Sequence, residues 1–540
     1  MVKKVIIFIN FLLLFSFSIN LFSLEPPLPG EIERYKKDGT FEKRLNFAKE
    51  LGNYKVAHYL MEKLQSKLSG KCEMAPPIAW QGMPTKGNVK IFALLISFQD
   101  YPFNTESETV YKRLFEDGTS NPPYESLRNF YRRASYGKLE IEGNVFGWYT
   151  TPYPRSQVSE STGGREKLIK EALNYFKSEG VDFSQFDNDG DGEIDYFIVV
   201  WTGPDTGWAN FWWGYQTYFY DSSYKLDGKK LGNYSWQWEA NPPSGQFSPR
   251  VVIHETGHAL GLPDYYDYDD SMGPKGGVGG LDQMDGNWGD HNCFSKMLLE
   301  WIDPEIVNQN SEITLKPSSE SGDSVIVMPE AERGDQFEEY YMIQYRDRSS
   351  NDATYPDDGL LIWHIDARTS PSLYDFAYDN SYSEHKLLRL MEADGLEEIE
   401  QNKFADAGDY YTEGTSIGDD TFPSSSRYCG ENGGFEINSI VKNDAAFSFN
   451  VIFKGANPQI ASVSKLKNPF RIAISGTNIQ EGAKVVIGVD SSVWQYTEFS
   501  NGSIILEKGN KLKRKFPLKT TTPILVINPD GSATKTSFKR

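Results

Sequence analysis

Cysteine is scarce in this chain of 540 residues: Cys72, Cys293 and Cys429 are the whole complement. Three thiols cannot staple a fold of this size, so a disulfide framework is excluded, and one bridge at most, Cys293 to Cys429, is left open. Positive charge is in deficit as well. With 55 Lys and Arg against 75 Asp and Glu the net charge is −20. That balance argues against nucleic acid or an anionic membrane as partner and suits a protein that binds divalent cations. Long apolar runs are missing beyond the N-terminus, so no later stretch reads as membrane-crossing. What remains is 39% hydrophobic and 14% aromatic, a globular composition long enough for several domains and a large core.

The N-terminus reads as a secretory signal over residues 1–23, with Lys3 and Lys4 ahead of an apolar run at 5–17 and a small-residue exit at 18–23. Secretion is the expectation, and an uncleaved segment holding the protein at the cell surface is the alternative. Residues 24–85 are charged and helix-prone around 41–68, and they read either as a pro-segment or as an N-terminal helical extension of the catalytic domain. Cys72 is a candidate latency thiolate within that segment. Residues 86–310 alternate strands with helices (a buried strand at 91–98, helices at 124–133 and 164–178), the pattern of an α/β or α+β catalytic domain. Residues 311–455 are β-rich, with short strands at 313–315, 341–345 and 360–365 between turn residues. A linker near 456 leads to a last block, 456–540, with the spacing of a small β-sandwich.

Histidines number only six, and two of them fall in one pentad. His254-Glu255-Thr256-Gly257-His258-Ala259-Leu260-Gly261-Leu262-Pro263-Asp264 reads HExxHxxGxxD. On a helix, residues four apart share a face, so His254 and His258 can grip one zinc ion. Glu255 then sits where it can act as general base on a zinc-bound water. Gly261 can end the helix in a left-handed conformation and return Asp264 toward the same ion. Ser248 suits the N-cap and Pro249 the first helical position.

A second motif runs from Asp187 to Asp195. Asp187, Asp189 and Asp191 alternate with Asn188 and glycine, and Glu193 and Asp195 come next, matching the first nine positions of an EF-hand-type loop. The closing glutamate is absent, since position twelve is Ile198, so the expectation is a truncated calcium loop bracing the adjoining strand. The aromatic stretch 201–238 reads as core packing before it reads as a substrate cleft.

Several segments together resemble the immune inhibitor A family of secreted zinc metallopeptidases. They are Phe98-Gln99-Asp100-Tyr101-Pro102, Ser135-Tyr136-Gly137-Lys138-Leu139, the 187–195 run and the 254–267 run. Met284, Phe294-Ser295-Lys296-Met297-Leu298-Leu299-Glu300-Trp301, the 359–364 block and Glu392-Ala393-Asp394-Gly395 complete the set. The resemblance covers roughly residues 85–455. It implies a metzincin-like fold, proteolysis of extracellular proteins or peptides, a propeptide, catalytic zinc and structural calcium. By that likeness His254, His258 and Asp264 are zinc ligands, with Asp267 as the rival for the third place, and Glu255 is the base. Met284, on a glycine-flanked turn, would support the zinc site from below, a plain core methionine being the alternative. The oxyanion partner has no clear owner; Tyr265, Tyr266 and His291 are candidates. Glu300 stands where the family commonly has glycine. The last block resembles an IPT/TIG-type immunoglobulin-like domain through residues 473–478 and 526–531, a module expected to contact a surface or glycans. The rival functions are a catalytically inactive peptidase-like adhesin or glycan-binding surface protein, and a different zinc hydrolase.

Overall fold

The computed structural model describes residues 29–68, 82–118, 126–240, 244–269, 276–327, 336–381, 385–453, 455, 458–488, 492–494, 497–500, 503–507, 509–529 and 532–540. The expected signal segment and Cys72 lie outside the described residues.

Three helices come first: α1 (Pro29–Asp38), α2 (Phe41–Leu51) and α3 (His58–Leu68). α2 stops at Gly52, whose φ of 82° is left-handed and whose N–H returns to the Ala48 carbonyl, a conformation that glycine adopts without strain. The helix-prone run at 41–68 therefore splits, and residues 53–57 become a connector.

β1 (Gly87–Ser97), α4 (Ser107–Phe115), α5 (Leu127–Ala134), β2 (Leu139–Thr150), α6 (Thr162–Ser178), β3 (Glu193–Trp201), β4 (Tyr215–Tyr218) and β5 (Lys230–Trp238) come next. Their five strands form one sheet in the order β2-β1-β3-β5-β4. All neighbours run parallel except β4, which is antiparallel and lies at the edge. β1 and β3 are buried along most of their length, as parallel strands covered on both faces must be. Alternation sends Phe92, Leu94, Phe197 and Trp201 to one face, where they pack with Trp208, Trp212, Trp236, α6 and α1–α2. The aromatic stretch is thus core. Ile91, Ala93, Ile198 and Val200 face the other side and pack with α5 and with α7 (Arg250–Leu260).

After α8 (Gln283–Gly286) and α9 (Cys293–Leu298) the chain becomes β-rich: β6 (Glu305–Val307), β7 (Ser311–Leu315), β8 (Ser324–Val327), β9 (Glu339–Arg346), β10 (Gly359–Asp366), β11 (Leu388–Leu390), β12 (Ile417–Gly418), β13 (Phe435–Asn443) and β14 (Ala446–Phe453). They form two sheets, β11-β10-β9-β8-β6 and β12-β13-β14-β7, which share a core of residues such as Ile343, Ile362, Phe435 and Phe449. The opposite face of the first of these sheets, with Met342, Leu361 and Trp363, joins the same apolar cluster as α7 and α9. That shared cluster ties the β-rich region to the helix bearing the HExxH motif.

The last block holds β15 (Gln459–Leu466), β16 (Arg471–Thr477), β17 (Lys484–Ile487), β18 (Ser492–Trp494), β19 (Thr497–Ser500), β20 (Ser503–Leu506), α10 (Gly509–Lys515), β21 (Thr521–Ile527) and β22 (Ala533–Lys539). Two four-stranded antiparallel sheets, β15-β16-β20-β19 and β18-β17-β21-β22, share one core around Ile474, Val485, Leu506 and Val526. Cys293 is buried and Cys429 exposed, each a free thiol. The bridge that composition left open is therefore not formed.

Candidate active site

α7 begins one residue later than its sequence suggests. Pro249, not Ser248, takes the N-cap position, and its carbonyl accepts the first helical N–H, that of Ile253, at 2.8 Å. The Ser248 hydroxyl accepts only a long bond, 3.4 Å, from the Arg250 N–H. At the other end Gly261 has φ 107°, and the N–H of Leu262 returns to the Gly257 carbonyl at 3.0 Å. This left-handed stop reverses the chain and brings Asp264 back over the helix.

His254 and His258 share one face. His254 Nδ1 bonds the Gln283 carbonyl at 3.0 Å, and His258 Nδ1 bonds the Leu262 carbonyl at 2.8 Å. A carbonyl only accepts, so both rings carry their proton on Nδ1 and turn an Nε2 lone pair inward. The two Nε2 atoms are 3.1 Å apart. Asp264 Oδ1 lies 2.9 Å from the first and 3.4 Å from the second. Three acceptor atoms thus converge in a buried space, and only a proton or a cation can sit among them. Two imidazoles and one carboxylate are a donor set that fits zinc with positions to spare. Asp267 does not join them: its Oδ1 accepts the N–H of Asp269 at 2.8 Å.

The electrostatics arise from burial and from this pairing. Burial works against a charged His258, yet Asp264 outweighs it and raises the imidazole to about 9. Burial also opposes the Asp264 charge, and the two histidines still hold that carboxylate below its ordinary range. His254 is lowered, chiefly by burial. Glu255 is wholly buried, and desolvation pushes it up to about 8 against the lowering effect of the Glu255–His258 attraction and the Gln216 backbone N–H.

Residues 78–289, which carry this arrangement, match the family described as immune inhibitor A peptidase M6, catalytic domain. The site-bearing region is similar to the M6 peptidases. Among curated proteins, immune inhibitor A of Bacillus thuringiensis subsp. alesti is 26% identical, with 37% of this chain and 37% of that protein aligned. The pre-pro-metalloprotease PrtV of Vibrio cholerae serotype O1 (strain M66-2) is 24% identical over 33% of this chain and 25% of its own length. The matched region therefore spans well under half of either relative.

Within the M6-like region Met284 is fully buried beneath α7. A methyl group built on Gly257 would overlap its sulfur, and its carbonyl accepts the N–H of Tyr265 at 2.9 Å. The preceding Asp282 caps α8 by accepting the Met284 N–H at 2.6 Å. The oxyanion candidates are core residues. The Tyr265 hydroxyl is 2.7 Å from Ser295 Oγ, Tyr266 stacks on Tyr268, and His291 packs against Tyr131 and Trp301.

In the acidic loop the structure brings Asp187, Asp189 and Asp191 together, with one carboxylate oxygen of each within 4.8 Å of the others. Lys229 Nζ approaches Asp187 at 2.5 Å. Glu193 and Asp195 do not join them because the chain has already entered β3. Glu193 accepts from the Tyr218 hydroxyl at 2.7 Å, and Asp195 accepts from the backbone and side-chain N–H groups of Asn188, both at 2.8 Å. Asn188 in turn pairs with Lys90 of β1, fastening the loop to the strand beside β3.

Sequence reasoning missed two sets of residues. Tyr268 donates its hydroxyl to Asp264 Oδ2; its position four residues on, in a tyrosine-rich run, was the available signal. The connector after α2 also reaches the site. The Asn53 carbonyl accepts the Asp264 N–H at 2.8 Å, the Ala57 N–H donates to the Gly261 carbonyl at 2.9 Å, and the Tyr59 hydroxyl donates to the Ala259 carbonyl at 2.6 Å. No periodicity announces such long-range backbone contacts.

Proposed function

We propose that this protein is a secreted zinc-dependent endopeptidase that hydrolyses peptide bonds in extracellular proteins. The observation that carries the reading is the convergence of His254 Nε2, His258 Nε2 and Asp264 Oδ1 on one buried point, beside the buried Glu255. The likeness to proteins named immune inhibitor A and metalloprotease PrtV supports the same chemistry. Zinc held by these three residues would supply Lewis-acid activation of a water and of the scissile carbonyl. Glu255 takes a proton from the attacking water onto its carboxylate and delivers it to the leaving amine. The Gln283 and Leu262 carbonyls keep both imidazoles in the tautomer that leaves Nε2 free to coordinate. β4 is an edge strand beside α7 whose Gln216 carbonyl accepts from the Asn53 side chain at 3.4 Å, so an extended substrate would pair with it once that contact is released.

The N-terminal helices act as a pro-segment in this reading. Asn53, Ala57 and Tyr59 seat them on the loop that delivers Asp264, and the four site residues are buried beneath. Asp187, Asp189 and Asp191 hold structural calcium, with Glu193 and Asp195 supporting the loop from β3. Met284 supports the zinc helix within a metzincin-like domain, and the last block is an IPT/TIG-like, immunoglobulin-type module. The signal-like N-terminus supports secretion; no helix among the described residues is long and apolar enough to cross a membrane.

The test is metal analysis together with cleavage of casein, before and after limited proteolysis of the N-terminal segment. One bound zinc with chelator-sensitive cleavage is expected. One zinc without cleavage under either condition would make the protein an inactive peptidase-like adhesin.

A further inference from the structure

A second cluster of acidic oxygens lies in the β-rich region, away from both motifs already described. Glu392 and Asp394 sit on the turn after β11, and Asp409 ends a short helical turn at 407–409. One carboxylate oxygen of each lies within 4.8 Å of the others. Glu392 and Asp409 are buried, whereas Asp394 is exposed and gives the cluster an opening to solvent. The approach is built in. The Ala393 N–H bonds the Asp409 carbonyl at 3.3 Å, and a Cβ on Gly408 would stand 2.5 Å from Asp394 Oδ2.

The backbone satisfies these carboxylates only in part. Glu392 accepts the N–H groups of Glu398 and Ile399, Asp394 that of Leu396, and Asp409 that of Asp406. Each ionised carboxylate can accept about four hydrogen bonds, so lone pairs remain on all three. Lys403, whose ammonium interacts with Glu392, is exposed and pairs with Glu398. No ion pair to any of the three carboxylates occurs among the described residues.

Tyr411 provides an independent sign of a ligand. Its backbone is fixed by a pair of bonds to Leu360 of β10, at 2.9 and 3.0 Å. Its side chain is wholly buried, and its hydroxyl has no partner. Tyr411 follows Asp409 by two residues, and the charges that reach its hydroxyl are those of Asp409, Asp394 and Glu392. A buried hydroxyl left unpaired beside three carboxylates is costly, and a hydrated cation between them answers both needs.

We propose that Glu392, Asp394 and Asp409 form a calcium site, with the Tyr411 hydroxyl bonding a water of the bound ion. All the donors are hard oxygens, and no imidazole or thiolate joins them among the described residues. The set therefore suits Ca²⁺, which tolerates irregular oxygen shells, over Zn²⁺ or the strictly octahedral Mg²⁺. The ion would pin the turn after β11 to the segment that carries Tyr411 onto β10, bracing the sheet that shares its core with the catalytic helix.

The test compares full-length protein with its Asp394→Asn variant after equilibrium dialysis against calcium chloride and metal counting. The variant is expected to hold one Ca²⁺ fewer, or to bind that ion at least about tenfold more weakly, with unchanged zinc content. Equal calcium content and affinity would overturn the proposal, and the comparison does not depend on the 187–195 loop. Tyrosine-sensitised Tb³⁺ luminescence gives a second readout that does not disturb the carboxylates. Emission should fall in Tyr411→Phe, and unchanged emission would equally overturn the assignment.

Discussion

The sulfur of Met284 occupies the space that a side chain on residue 257 would need, so the turn bearing the methionine and the helix bearing both histidines fit together through a missing Cβ. Gly257→Ala should gain about 1 kcal/mol of helix propensity but lose about 1–3 kcal/mol to overpacking. Met284→Ala in the same chain should recover part of that loss. Denaturant unfolding of the four members of the cycle is expected to give a coupling of about 1 kcal/mol or more. Simple additivity would mean that the methionine does not support the helix.

Asp264 takes a hydroxyl hydrogen bond from Tyr268, while Asp267 accepts the backbone N–H of Asp269. Tyr268→Phe should therefore weaken zinc binding about 10–100-fold, the usual effect of removing a partner that orients a ligand. Asp267→Asn should leave zinc binding nearly unchanged. Competition with a zinc chelator measures both, and the reverse ranking would transfer the third-ligand role to Asp267.

Glu300 has φ 61°, a left-handed backbone that glycine adopts more readily than glutamate. In exchange, its carboxylate lies 2.9 Å from Lys63 of α3 and 2.9 Å from Lys86. Burial opposes the charge, but the two ammonium groups outweigh it and lower the carboxylate to about 2. The folded-state value lies below the unfolded one. The stabilisation is therefore complete above about pH 4.5 and is lost as the pH falls toward 2. Discounted for solvent access, it is on the order of 1 kcal/mol. Glu300→Gln should remove it at neutral pH and speed proteolytic release of the N-terminal segment several-fold. An unchanged rate would show that the segment is held by its contacts around Asp264 instead.

Much of this arrangement was legible in the linear sequence because helix geometry turns fixed offsets into a shared face. His254, Glu255, His258 and the stop at Gly261 needed nothing else, and the buried strands announced themselves through unbroken apolar runs. The acidic loop shows the limit of such reading. Its pattern continues to Asp195, but strand β3 begins at Glu193, and pleating carries the last two carboxylates away from the first three. The main-chain acceptors that set the histidine tautomers carry no side-chain signature. The seating of Asn53 and Tyr59 on the Asp264 loop joins segments about 200 residues apart, beyond the reach of local patterning.

The most direct test of the central claim is Glu255→Gln, measured for zinc content and for casein cleavage after removal of the N-terminal segment. One zinc is expected, as in the unaltered protein, with cleavage reduced about 10²–10⁴-fold by loss of the proton-transfer group. Undiminished cleavage by the zinc-loaded variant would contradict that claim.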